Sequence, residues 1–117
     1  MNYQELKDLK VVTIQSSNMM GLVKKSLSIP TSSTYKDDEI LMLINAALMD
    51  LERQKIDVEN NIDNGLIQGA ICMYVKANFG MVDDREKEIS QKNYDRACTN
   101  LSLSAEYKIK DETTETT

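Results

Sequence analysis

Residues 64–75 run without a single charge. They sit inside a longer stretch, 62–80, in which apolar residues recur at 62, 66, 70, 73 and 77, which is helical spacing. A second stripe at 67, 71, 74 and 78 is apolar except for Asn78, and Val75 and Phe79 add a third edge. A helix apolar on nearly every side is buried on nearly every side. The run is too short to cross a bilayer, which takes about 20 residues. Asp63 is placed to cap its start, and Gly80 to close it in the left-handed conformation. Gly65 and Gly69, one turn apart, leave room for another backbone to approach. The expectation is a central helix with partners on several faces, some of them in another chain.

The rest of the chain reads as support for that helix. One Pro and four Gly are too few turn formers for an all-β fold. A length of 117 residues makes one domain. Such a chain buries roughly two-thirds of its unfolded surface, enough for a core without disulfides or metal. The expected architecture is all-α, about four helices packed around the central one. Residues 1–18 form an N-terminal extension, 19–107 the helical domain and 108–117 a flexible, disordered C-terminal tail.

Within the extension, Tyr3, Leu6 and Leu9 make a short helical stripe, and the β-branched run at 11–14 is strand-like. Met19, Met20, Val23 and Leu27 share one face of a first helix, with Lys24 and Lys25 on the solvated face. It ends near Ile29, because the residue before Pro30 is pushed out of the helical region. Thr34 and Asp37 fit a capping box. Asp37, Asp38 and Glu39 then suit the first turn of a second helix, where negative charge complements the dipole. Its apolar face is Ile40, Leu43, Ile44, Ala47, Leu48 and Leu51. Met42 and Met49 fall off that stripe, either as incidental surface residues or as contacts for a second subunit, a role methionine fits well. Ile56 and Val58 anchor a polar connection at 55–61. Asp83 or Asp84 caps a fourth helix with the stripe Ile89, Tyr94, Ala97, Cys98 and Leu101. Alternating Leu and Ser after Leu101 predict fraying into an extended arm.

Catalytic chemistry finds little to work with. There is no His for general base work near neutral pH, and Ser or Cys nucleophiles need a neighbouring base. Cys72 and Cys98 lie far apart with no CxxC spacing, so they read as reduced core thiols rather than zinc ligands. The pairs Asp37–Asp38 and Asp83–Asp84 are explained as helix starts. Lys76, the lone charge of the central helix, is expected to snorkel near its C-terminal end. No catalytic residue, cofactor or metal site is expected, and the chain is expected not to be an enzyme. Residues 1–10 lack the apolar segment of a secretory signal, so folding in the cytosol is expected, with no membrane partner.

Charge is uneven. Residues 1–36 carry five Lys against two acids, whereas 37–117 carry nine bases against seventeen acids. An acidic body repels a duplex. The lysines of the first third support an alternative reading, a small helical DNA-binding regulator.

A resemblance narrows these readings. The succession Asp37-Asp38-Glu39-Ile40-Leu41-Met42-Leu43-Ile44-Asn45-Ala46-Ala47, the stretch Leu66 through Tyr74-Val75-Lys76-Ala77-Asn78-Phe79-Gly80, the pair Tyr94-Asp95 and the ending Leu101-Ser102-Leu103-Ser104-Ala105-Glu106-Tyr107 resemble the small head–tail connector, or adaptor, family of tailed bacteriophages. The likeness covers about residues 20–108. The chain departs from the family pattern in its first 18 residues. The resemblance implies a non-enzymatic helical subunit that forms a ring below the portal of the DNA-filled capsid, in the virion at the head–tail interface. Its implied partners are the portal protein, neighbouring copies of itself and a downstream neck or tail-completion protein. DNA passes the channel without specific binding, which an acidic wall suits. The C-terminal segment of the family grips the portal, which here implies Leu101, Leu103 and Tyr107 as interface residues beside Met42 and Met49.

Overall fold

The computed structural model describes residues 19–109. The expected stripe at Tyr3, Leu6 and Leu9, the strand-like run at 11–14 and the tail from 110 onward lie outside the described residues. Four α-helices follow in order: α1 Met19–Ser26, α2 Asp37–Arg53, α3 Gly65–Asn78 and α4 Asp84–Leu103. Two 3-10 turns, Glu59–Asn61 and Ala105–Tyr107, complete the elements of the described residues. Among the described residues there is no β-strand, only an isolated antiparallel bridge between Ile56 and Lys108.

The charge-free run becomes α3, and α1, α2 and α4 each pack on it. Its buried arc is Ile67, Ala70, Ile71 and Val75. Toward it α2 turns Ile40, Ile44, Ala47, Leu48 and Leu51, α1 turns Met19 and Val23, and α4 turns Tyr94, Cys98 and Leu101. Phe79, just past the end of α3, and the loop anchors Ile56 and Val58 close the core. The burial of this one cluster supplies most of the drive to fold, since each large apolar side chain buried is worth about 1.5–3 kcal/mol.

Several local expectations change. Asn64, not Asp63, caps α3: its side chain accepts a 2.8 Å bond from the Leu66 N–H. Gly80 is not left-handed; α3 ends when Phe79 turns extended. Thr34 does not cap α2, whose first residue instead forms a backbone turn, the Asp37 N–H donating to the Thr34 carbonyl at 3.1 Å. Asp83 does cap α4, accepting from the Glu86 N–H at 2.8 Å. Ile89 is exposed and Ser90 takes its place on the buried side of α4. The arm expected after Leu101 is not extended: α4 continues through Leu103 and then tightens into a 3-10 turn.

Lys24 is the largest departure. It is 4% exposed rather than solvated. Its ammonium pairs with Asp37 Oδ1 at 2.7 Å and donates to the carbonyls of Ser33 at 2.8 Å and Thr31 at 3.3 Å. A buried ammonium must find such partners. By doing so it pins the loop at 27–36 across the start of α2.

The glycines of α3 do not receive another backbone. A Cβ built on Gly65 or Gly69 meets nothing within 4 Å. Two outcomes follow. Ile71→Ala is expected to lower stability by about 2–5 kcal/mol, through lost burial plus a cavity, measured by urea unfolding. Gly69→Ala is expected to raise it by about 0.5–1 kcal/mol, since a helix-interior glycine costs backbone entropy. A loss of stability in Gly69→Ala would show that a close contact exists there after all.

Candidate functional site

Among the described residues the features with functional potential are surfaces. The helical wheel of α3 leaves Gly65, Leu66, Gly69 and Met73 on the side away from its buried arc. Together with Leu101 of α4 and Tyr107 they line an apolar groove of about 440 Å³. Leu66 is 61% exposed there, which corrects the expectation that α3 is covered on nearly every side. A large apolar side chain standing in an apolar groove marks an interaction surface more strongly than a scattered one.

The predicted interface residues divide between surface and core. Met42 is 59% exposed and Met49 is also exposed, both on the side of α2 away from the core. Leu103 is 82% exposed at the end of α4. Leu101, only 3% exposed, belongs to the core and forms a wall of the groove. Tyr107 is half-buried and its hydroxyl accepts a bond from Asn64 Nδ2 at 3.2 Å. Its carbonyl accepts from the Asp57 N–H at 2.7 Å, and the Ile109 N–H donates to the Lys55 carbonyl at 2.8 Å. The C-terminal segment is therefore stitched to the loop after α2, and it brings Leu103, Tyr107 and the groove to one end of the molecule. Sequence periodicity missed the groove because it reads α3 as uniformly apolar; the signal available was the Gly65/Gly69 pair.

A polar bracket fixes the other side of α4. The Tyr94 hydroxyl donates to Asp50 Oδ2 at 2.6 Å, and Gln54 Nε2 donates to the same oxygen at 2.9 Å. Arg53 pairs with Asp50 Oδ1, and Gln54 also reaches Cys98 Sγ at 3.5 Å. The Tyr74 ring meets the Tyr94 ring edge-on, centroids 5.2 Å apart. The last turn of α2 is thus tied to α4, and α4 in turn to α3. Burial alone would push the Asp50 carboxyl up, but bonds from Arg53, Tyr94 and Gln54 outweigh it and hold it below the ordinary value. Burial, reinforced by Asp50, pushes the Tyr94 hydroxyl far up, so it stays a donor. Burial also raises the thiols of Cys72 and Cys98, which keeps both protonated and poor as nucleophiles.

Lys76 is half-buried and pairs with Glu86 at 3.5 Å, joining the end of α3 to the start of α4. Among the described residues no three His, Cys, Asp or Glu side chains are grouped to hold a metal ion, and no helix is long and apolar enough to cross a membrane.

A family model described as "Phage connector protein" matches residues 19–108. No curated protein and no solved structure matches the chain.

The Asp50 bracket makes a pH prediction. A carboxyl held below its unfolded value adds stability above that value, near pH 4, and loses it as pH falls through the lower, folded one. Asp50→Asn removes this dependence. The difference in unfolding free energy between pH 7 and pH 3 is therefore expected to be smaller in Asp50→Asn than in wild type, by urea titration at both pH values. Equal differences would mean that the bracket does not carry the shift.

Proposed function

The chain belongs to the phage connector protein family, and on that footing we propose that it is a structural subunit of the head–tail interface. Copies close into a ring beneath the portal, extend the DNA channel and offer a platform to the next neck or tail-completion protein. The family match over residues 19–108 carries this reading. On this reading the working domain is 19–107, no catalytic step, cofactor or membrane is involved, and the protein is part of the virion after assembly in the host cytoplasm.

The surfaces support the reading. A ring subunit needs two different side faces, because head-to-tail contacts close only when they are heterologous. This chain has exposed apolar residues on α2, at the α3–α4 groove and at Leu103. The clustering of Leu103 and Tyr107 at one end suits a portal contact, and the stitched segment at 105–109 presents it with little freedom left to lose on binding. The acidic bias of residues 37–117, nine bases against seventeen acids, suits a channel through which DNA slides.

Electron microscopy of the chain mixed with its portal tests the role. The expected result is added ring density below the portal; virions that lack this polypeptide at the neck would refute it. Leu103→Asp tests the portal contact. Because that side chain is largely solvent-exposed, the variant is expected to melt within about 0.5 kcal/mol of wild type and to lose co-sedimentation with portal rings. Unchanged co-sedimentation would move the contact elsewhere.

A further inference from the structure

The segment after α4 is held very differently from the helix that carries it. Tyr94, Cys98 and Leu101 fix α4 by burial, and the Tyr94–Asp50 bond fixes its rotation. At Ser104 the helix stops and the backbone turns extended. Beyond that point Ala105, Glu106, Lys108 and Ile109 are exposed, and only Tyr107 is half-buried. Three hydrogen bonds join 104–109 to distant parts of the described chain. The Tyr107 carbonyl accepts from the Asp57 N–H at 2.7 Å, the Ile109 N–H donates to the Lys55 carbonyl at 2.8 Å, and Asn64 Nδ2 donates to the Tyr107 hydroxyl at 3.2 Å. Lys55, Asp57 and Asn64 all belong to the connection between α2 and α3. The groove helices themselves meet through the core and through the Tyr74–Tyr94 ring pair.

This lightly held segment is nonetheless part of the groove. Ser104, Glu106 and Tyr107 line it together with Leu66 and Met73 of α3 and Leu101 of α4. We infer that residues 104–109 form a latch, hinged at Ser104, that opens as one unit and uncovers the groove while the four helices stay folded. The free energy of a local opening follows from what is lost in it. Opening the latch gives up three hydrogen bonds and the partial burial of one tyrosine; separating the helices gives up the whole core.

Asn64 is the catch. Its Oδ1 accepts from the Leu66 N–H as the cap of α3, which fixes the amide and aims Nδ2 at the Tyr107 hydroxyl. Closed, the latch presents Leu103 and Tyr107 in one arrangement, and its own aromatic ring narrows the groove. Less apolar surface then meets water, and large exposed apolar patches invite unwanted association. Open, the walls built by Met73 and Leu101 come into contact with solvent.

Native-state hydrogen exchange on the full-length chain reads the latch, because the Asp57 and Ile109 amides lose their acceptors only when it opens. The two are expected to exchange together, many-fold faster than the Ile71 and Val75 amides of α3. Their exchange should depend little on denaturant, since a small opening exposes little surface. Tyr107→Phe removes the hydroxyl that accepts from Asn64, and Asn64→Ser keeps a cap while losing the amide. Each is expected to speed both latch amides several-fold and to leave those of Ile71 and Val75 near wild type. Met73 reports the groove. Dilute hydrogen peroxide oxidises accessible methionines to the sulfoxide, and peptide mass spectrometry follows each position. In wild type Met73 is expected to react more slowly than the exposed Met42 and Met81; in Tyr107→Ala it speeds up several-fold and those two do not. Latch amides that exchange only in step with Ile71 and Val75 overturn the hinged unit. Latch amides that open while Met73 keeps its wild-type rate in Tyr107→Ala overturn its hold on the groove. Neither readout involves a portal, so the latch and the connector role stand or fall separately.

Discussion

The structure depends on a single constraint: α3 has too much apolar surface to meet water. Ile67, Ala70, Ile71 and Val75 lie together along one arc of it, and three other helices are recruited to cover them. Each recruit is short or amphipathic and gains most of its helical order from that packing rather than from intrinsic propensity. The connections are then held by polar contacts that the buried faces make possible. Lys24 ties the α1–α2 loop to Asp37, and Asp50 ties the end of α2 to Tyr94.

Covering α3 is also incomplete, and the incompleteness is useful. Three packed helices screen one side and the flanks. They leave Gly65, Leu66, Gly69 and Met73 along a groove that continues onto α4 and Tyr107. A chain that only had to fold would gain by placing alanine at those glycines. Keeping the groove open fits a protein whose working state is an assembly, as membership of the connector family leads one to expect.

The two brackets shape what is presented. Stitching Tyr107 and Ile109 to Asp57 and Lys55 returns the chain end to the loop after α2. Leu103 is left standing into solvent at the same end as the groove. The Asp50 network meanwhile fixes the rotation of α4, since Tyr94 can reach Asp50 only from one face of that helix. That rotation turns Arg85, Lys92 and Arg96 outward. Core packing and surface chemistry are thus set by the same helix register.

The sequence by itself determined the helices, the central place of α3, the outward position of Met42 and Met49 and the burial of Ile56 and Val58. All of these follow from the spacing of apolar residues, a local property that survives without knowledge of partners. The family likeness was legible in the motifs of α3 and the C-terminal ending. Tertiary structure alone decided that Lys24 is buried, that Leu66 is exposed, that Ile89 yields to Ser90, and that the glycines of α3 open onto a groove. Those outcomes depend on which flank of an all-round apolar helix its neighbours happen to cover, and on acceptors contributed by residues distant in the chain. Periodicity records how much surface a helix must bury; the directions from which it is covered are set only when the other helices arrive.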